Sequence, residues 1–431
     1  MKLSKKQKLV GGIAIILVAV ILAIVITTNI VKNNNKVASE GYSATTANAG
    51  SSLVASYIKK EITIGGITGT LETLDTSDAT ATPEDILWGE TAYVDGEKIT
   101  GTKVVTVAQG KESQKVFGEN TILIDDYGNG VKVPAGFKIT EDSATAVTGG
   151  VVIEDSTAGD ENTKGSQFVW IPVGNVITDS NGSTTTITLG RYKFASDGTK
   201  TLVQSAENWS QEVAISTYFK ELASSSFGNS VAKDLEDFVT KALSSGGYYI
   251  GRYEAGDAYA TDSSRTGTGN VSNPNNPIVC KGGVYPYNYI NQADASSLCQ
   301  GMYSSINFES DLTNSYAWDT AIVFIQEFSG DTNYSTQVGI NTARAVQKCG
   351  ESILDSSYVD EGDEVQDIRC NIYDMAGNTE EWSTETSSNS GYPCVIRGGF
   401  YAVPVFSTRH RGNVITTGSN DYYSARPTLY L

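Results

Sequence analysis

Hydrophobic and polar positions fall into distinct textures along this chain. Residues 9 to 31, LVGGIAIILVAVILAIVITTNIV, carry no charge. About 20 apolar residues in a helix cross a hydrocarbon core. Lys2, Lys5, Lys6 and Lys8 precede the run, which predicts a cytoplasmic tip and a C-terminal body outside the cell, on a single-pass membrane anchor. A cleaved signal peptide is the alternative, with Val37-Ala38-Ser39 as its cleavage site, although its apolar core is usually shorter. From residue 37 to 58 Ser, Ala, Asn and Gly dominate, the composition of a stalk.

Short β-like runs follow. The tetrapeptide ITGT occurs at residues 67–70 and again at 99–102, with Gly65-Gly66 and Asp95-Gly96 as hairpin punctuation. Three helical stripes are set among the later β-like runs. NSVAKDLEDFVTKALSSGG places Val231, Leu235, Phe238, Val239 and Ala242 on one face, opens at Asn229 or Ser230 and stops at Gly246-Gly247. NQADASSLCQGMY, from Asn291, predicts a shorter helix, and Trp318, Ala321, Ile322 and Ile325 mark a third after Thr313. These stripes read as core. The division expected is 1–36 for tip and anchor, 37–60 for the stalk, 61–118 for a small β module and 120–431 for the main domain.

Charge narrows the function. The chain holds 31 basic and 49 acidic residues, net −18, and its first 36 residues carry six lysines and no acid. Such an acidic body repels phosphate backbones, so no nucleic-acid partner is expected. Cys280, Cys299, Cys349, Cys370 and Cys394 show no CxxC spacing, which argues against a zinc ribbon. An odd count allows two bridges at most, and Cys370 with Cys394 is the expected pair. His410 is the only histidine. That removes most His-based metal sites and Ser-His or Cys-His catalysis, and His410 itself reads as a surface loop residue.

Several blocks carry a family resemblance. CNIYDMAGNTEEW (370–382), RGG (397–399) and the final ARPTLYL resemble the formylglycine-generating-enzyme family, also called sulfatase-modifying factors. GSQFVWIPVG (165–174), YYIGRYEAG (248–256) and NQADASSLC (291–299) fit the same pattern in the same order. The likeness covers roughly residues 160 to 431. It implies an α+β domain with the C-type-lectin-like fold of that family. The family's enzymes oxidise a substrate cysteine with copper held by two cysteines just beyond RGG. Here that stretch is FYAVPVFSTRHR, without a cysteine. Copper(I) needs soft sulfur ligands, and Val403 or Thr408 supplies none, while Cys394 lies on the wrong side of the motif. The resemblance therefore implies the fold without the oxidase: no catalytic residue and no copper. A second, shorter resemblance, residues 81–102, is to a β module of bacteriophage tail and bacterial surface proteins.

Acidic residues in the motif suggest other chemistry. Asp374, Glu380, Glu381 and Glu385 could form an acid/base pair or a structural calcium site. Asp374 fits a turn residue better, and adjacent Glu380 and Glu381 point to opposite sides of a strand. No cofactor is expected, with structural calcium the one metal left open.

The aromatic tail resembles something else: the variable proteins of diversity-generating retroelements, in which a C-terminal segment of a lectin-like domain is rewritten by adenine-directed mutagenesis. Rewriting of AAY codons never yields Lys, Glu, Gln, Trp or Met. Those five types make up 66 of the 431 residues, so uniform usage puts about seven in the 46 residues after Glu385, and none occurs there. The resemblance implies a ligand-binding face, here Phe400, Tyr401, Val403, Val405, Phe406, Thr408, His410, Asn413, Ile415, Asp421, Tyr422 and Tyr423. Large rings with few torsions anchor recognition at low entropy cost, and Arg409 and Arg411 could add bidentate contacts. Arg397, Gly398, Gly399, Arg426 and Pro427 read as framework. The function expected is display of this face outside the cell to a protein or glycan ligand. The alternatives are an enzyme of the same fold with a relocated site, or a phage or prophage tail adhesin.

Overall fold

Residues 167–172, QFVWIP, explain how the larger part of the chain is layered. Along this strand Phe168 and Trp170 enter one hydrophobic core, while Val169 and Ile171 enter a second on the other side. Strand side chains alternate faces, so a strand apolar from Phe168 onward is buried on both. A computed structural model describes residues 55–71, 76–86, 91–209, 219–220, 235–259, 276–304, 307–340, 345–354, 365–402 and 405–431. The chain divides into two compact units, residues 1–79 and 80–431.

No helix among the described residues is long and apolar enough to cross a membrane. This corrects the expectation of a single-pass membrane protein with its body displayed outside the cell. The segment at 9–31 on which that expectation rested lies outside the described residues.

In the first unit Thr63–Ile64 pairs with Ile67–Thr68 across Gly65 and Gly66, both at positive φ. The second ITGT closes a similar hairpin in the larger unit. There Thr91–Val94 pairs with Glu97–Thr100 across Asp95 and Gly96, again both at positive φ. That is the two-residue turn whose twist suits antiparallel strands. The helix Val107–Ser113 follows, opened by a reciprocal cap between Thr106 and Gln109, and its Gly110 packs close to Leu123 and Ile139 of the larger unit.

The main sheet has six strands, in the order Glu309–Leu312, Pro427–Tyr430, Gly247–Gly251, Gln167–Pro172, Val152–Asp155 and Phe137–Ile139, all antiparallel. Helices Leu235–Ser245 and Ser315–Phe328 fill the core on one side. The opposite core, that of Phe168 and Trp170, takes Ala295, Cys299 and Met302 of helix Gln292–Met302, together with Trp382 and Ile396 of a second sheet. Asn291 and Asn314 cap the last two helices by accepting from Asp294 N–H and Ala317 N–H. The first helix is described from Leu235, so its expected start at residue 229 lies outside the described residues; Gly246 ends it at positive φ.

The second sheet runs Phe219–Lys220, Glu380–Ser387, Cys394–Arg397 and Arg411–Val414, with Tyr423–Ala425 lying parallel along Glu380–Trp382. The chain leaves this sheet at Ala425 and enters the main one at Pro427, so Arg426 sits at the crossing. All five cysteines are free, which corrects the expected Cys370–Cys394 bridge. Cys394 lies buried in its strand, while the Cys370 thiol faces the Thr148 carbonyl.

Candidate binding face

The framework comes first, because it decides which tail residues stay free. Arg397 is fully buried and donates to Asp319 (2.7 Å), Glu385 (3.4 Å) and the His410 carbonyl (2.9 Å), with its guanidinium over the Trp318 ring at 5.4 Å. Arg411 donates to both Glu385 oxygens at 3.0 Å and to Asp319, and Arg191 reaches Glu385 at 3.2 Å. Three guanidiniums thus surround two buried carboxylates. Burial would raise the Asp319 carboxyl, but Arg411 and Arg397 outweigh it and hold it below its usual range.

A parallel clamp sits at the crossing. Arg426 grips Glu381 with bonds of 2.8 and 2.5 Å and also donates to the carbonyls of Gly251 and Tyr373. The YDMAGN turn is structural as expected. Asp374 stands at φ 59° and accepts from the backbone N–H groups of Gly350 and Ser352. Gly399 admits no side chain, since a Cβ there would meet the Phe406 and Ala376 carbonyl oxygens at 2.4 and 2.5 Å.

Between these clamps the chain exposes rings. Phe400 stacks on Tyr422 (4.6 Å, 25°) and on Phe406 (5.9 Å, 26°), Phe406 meets His410 at 4.2 Å, and Tyr422 meets Tyr423 edge-on at 4.7 Å. Tyr423 then packs on buried Trp382 at 5.2 Å. The row therefore runs from half-exposed rings down into the core. Tyr401 joins from the side, 5.8 Å from Phe400, and donates its hydroxyl to Asp421 at 2.7 Å. The loop behind is fixed by Asn288, which donates to the Asp421 carbonyl, and by Tyr289 N–H, which donates to Asn420.

Seven of the expected residues are thus gathered: Phe400, Tyr401, Phe406, His410, Asp421, Tyr422 and Tyr423. Each is half-buried. Val405 stands 68 % exposed at the rim. Asn413 is exposed on the edge strand and Ile415 just beyond it, neither in a ring contact with the row. Val403 lies outside the described residues.

Two expectations need correcting. Thr408 is not on the face; it is buried, its N–H donates to the Gln337 carbonyl and its own carbonyl accepts from the Trp318 indole at 3.0 Å. The arginines are spent elsewhere as well. Arg411 is locked to Asp319 and Glu385, and Arg409 donates to the Phe194 and Ala195 carbonyls.

Carboxylates lie beneath the tail, and Asp319 among them has no signal in the motif. Glu381 and Glu380 do diverge as strand alternation requires, Glu381 to Arg426 and Glu380 towards His410, with Oε1 3.6 Å from Nε2. That spacing suggests an ion pair. Burial, however, pushes the Glu380 carboxyl up to about 8, and burial with Arg397 and Arg411 pushes the His410 imidazole down to about 4. Both shifts favour the neutral forms of the pair. A signal existed in the sequence: Arg397 and Arg411 flanking an apolar tail require counter-charges once buried, although spacing alone does not name Asp319 or Glu385.

No group of three or more His, Cys, Asp or Glu among the described residues could hold a metal ion, so the structural calcium left open finds no such cluster there. No family model matches the chain, and no curated protein matches it. Among solved structures the chain is similar to Treponema denticola variable protein 1, at 12 % identity and a TM-score of 0.30, covering 62 % of this chain and 97 % of that one. A superposition at that level fixes neither the fold nor the function.

Proposed function

We propose that this chain is a binding protein, not an enzyme, whose residues 400–424 form a recognition face for a macromolecular ligand, rewritten by a diversity-generating retroelement on a lectin-like scaffold. The observation that carries the reading is a segregation within one short segment. Arg397, Gly398, Gly399 and Arg426 are buried and clamped at its two ends, while Phe400, Phe406, His410, Tyr422 and Tyr423 form a continuous half-exposed row between them. Rigid rings on a fixed support suit recognition. The lack of Lys, Glu, Gln, Trp and Met after Glu385 fits the residue set that adenine-directed rewriting of AAY codons produces.

The test is deep sequencing of the 3′ end of the gene in sister isolates, with a search of the flanking DNA for a near-copy rich in AAY codons. Substitutions confined to positions 400–424, with the codons for Arg397 to Gly399 constant, are expected. An invariant segment with no template nearby would refute the rewriting and leave a face of fixed specificity.

A further inference from the structure

We propose that the face is built to receive a cationic side chain, a lysine or arginine of a protein ligand, with Glu380 as a fixed anchor beneath the rings. This rests on the binding reading above and names the ligand class. Glu380 is 3 % exposed. Its N–H donates to the Tyr422 carbonyl, and its strand runs parallel to Tyr423–Ala425, which sets it under the row. Among the described residues its carboxyl faces His410, whose Nε2 lies beyond hydrogen-bond distance at 3.6 Å, and Tyr423. A buried carboxyl left so poorly satisfied is costly, and an incoming donor would satisfy it.

The surrounding charge points the same way. Asp421 lies at the other flank, held by the Tyr401 hydroxyl. Arg409 and Arg411, the basic residues of the segment, are turned into the framework, where Arg411 is paired with Glu385 and Asp319, although with Arg397 it still opposes protonation of His410. Phe400, Tyr422 and Phe406 are half-exposed, and aromatic rings attract ammonium and guanidinium groups within about 6 Å. The chain as a whole is acidic, at −18, and draws basic partners over distance. Glu380 precedes the rewritten segment. A preference anchored there would persist while the rings change.

Proton linkage gives the test a specific readout. The groups facing Glu380 are His410 and Tyr423. The resting carboxyl is neutral below about 8, so a bound cation that draws its ionisation releases a proton. Affinity should then rise with pH up to about 8, by at most about tenfold per unit, and level off above it.

The probe is an N-acetylated pentalysine amide, with its fully side-chain-acetylated form as the neutral match, titrated calorimetrically into the full chain between pH 6 and 9. Binding of the charged peptide alone, tightening with pH, is expected. Glu380→Gln should weaken it at least about tenfold at pH 8 and flatten the pH profile, and Asp421→Asn, at the half-exposed flank, should weaken it less. Glu161→Gln, at a side chain 90 % exposed, should change nothing if attraction is not merely diffuse. No binding of the charged peptide, or an unchanged profile in Glu380→Gln, overturns the proposal. If both peptides bind equally and Phe400→Ala abolishes both, the cation preference is wrong and the face stands. If binding is indifferent to Phe400→Ala, the face falls too.

Discussion

His410 and Arg411 are neighbours in sequence and opposites in environment. Arg411 is drawn into a dry ion network, where both Glu385 oxygens and Asp319 use its guanidinium. His410 turns the other way, packs on Phe406 and keeps a quarter of its side chain in solvent. The split falls where a turn closed by His410 N–H on the Ser407 carbonyl passes into the strand that starts at Arg411. One segment can therefore carry both the bonds that hold the fold and the rings offered to a ligand. The two sets should respond differently to substitution: loss of a clamp costs stability, whereas loss of a ring costs chiefly binding.

The largest effect is expected at Arg397. Arg397→Met leaves Asp319 and Glu385 buried with one guanidinium fewer, and removing one partner of a buried ionic group typically costs about 3–5 kcal/mol. A urea titration should show a midpoint far below that of the parent, or no folded baseline. A loss under about 1 kcal/mol would mean that Arg191 and Arg411 suffice, and that the clamp is not what separates the two halves of the segment.

A smaller, pH-dependent effect is expected at Glu380. Burial raises its carboxyl to about 8, and burial with nearby Asp367 raises Asp374 to a similar value. For a carboxyl raised on folding, the folded state favours the protonated form. Its contribution is fully present below the unfolded value near 4.3 and is lost as pH rises through about 8. Stability should therefore fall between pH 5 and 8. Glu380→Gln should remove part of that slope, on the order of one to a few kcal/mol at pH 8 given 1.36 kcal/mol per pKa unit. His410, lowered to about 4, acts at the other end, its contribution present above about 6.5 and lost as pH falls through 4. Melting curves at half-unit pH steps for parent and variant measure both, and parallel profiles would show that the Glu380 carboxyl is already ionised at neutral pH.

Much of this architecture was legible locally. Asn291 and the apolar stripe after Thr313 announced two helices, the Gly-Gly and Asp-Gly pairs announced two hairpins, and alternation separated Glu380 from Glu381. The clamps were not, because they join residues far apart in the chain: Arg191 to Glu385, Asp319 to Arg397, Glu381 to Arg426. Local spacing carries no record of such pairings. That is why Thr408 was placed on the face and why Arg409 and Arg411 were offered to a ligand. The aromatic row was legible as composition, but its order through Phe406, Phe400 and Tyr422 depends on the loop at 420–421 returning over the RGG turn.

The smallest effects on stability are expected on the face, and they sharpen the comparison most. Val405 is 68 % exposed, and substitutions at such sites usually stay within about 0.5 kcal/mol, so Val405→Ser should leave the urea midpoint unchanged. Phe400 has three ring partners, Tyr401, Phe406 and Tyr422, each pair contributing about 0.5–1.5 kcal/mol beyond area burial when fully formed. Half-exposed rings sit at the low end of that range, so Phe400→Ala should cost about 1–2 kcal/mol and leave the protein folded. If Phe400→Ala instead unfolds the chain as Arg397→Met is expected to, the row is core, and the division between support and recognition surface drawn between residues 400 and 424 is wrong.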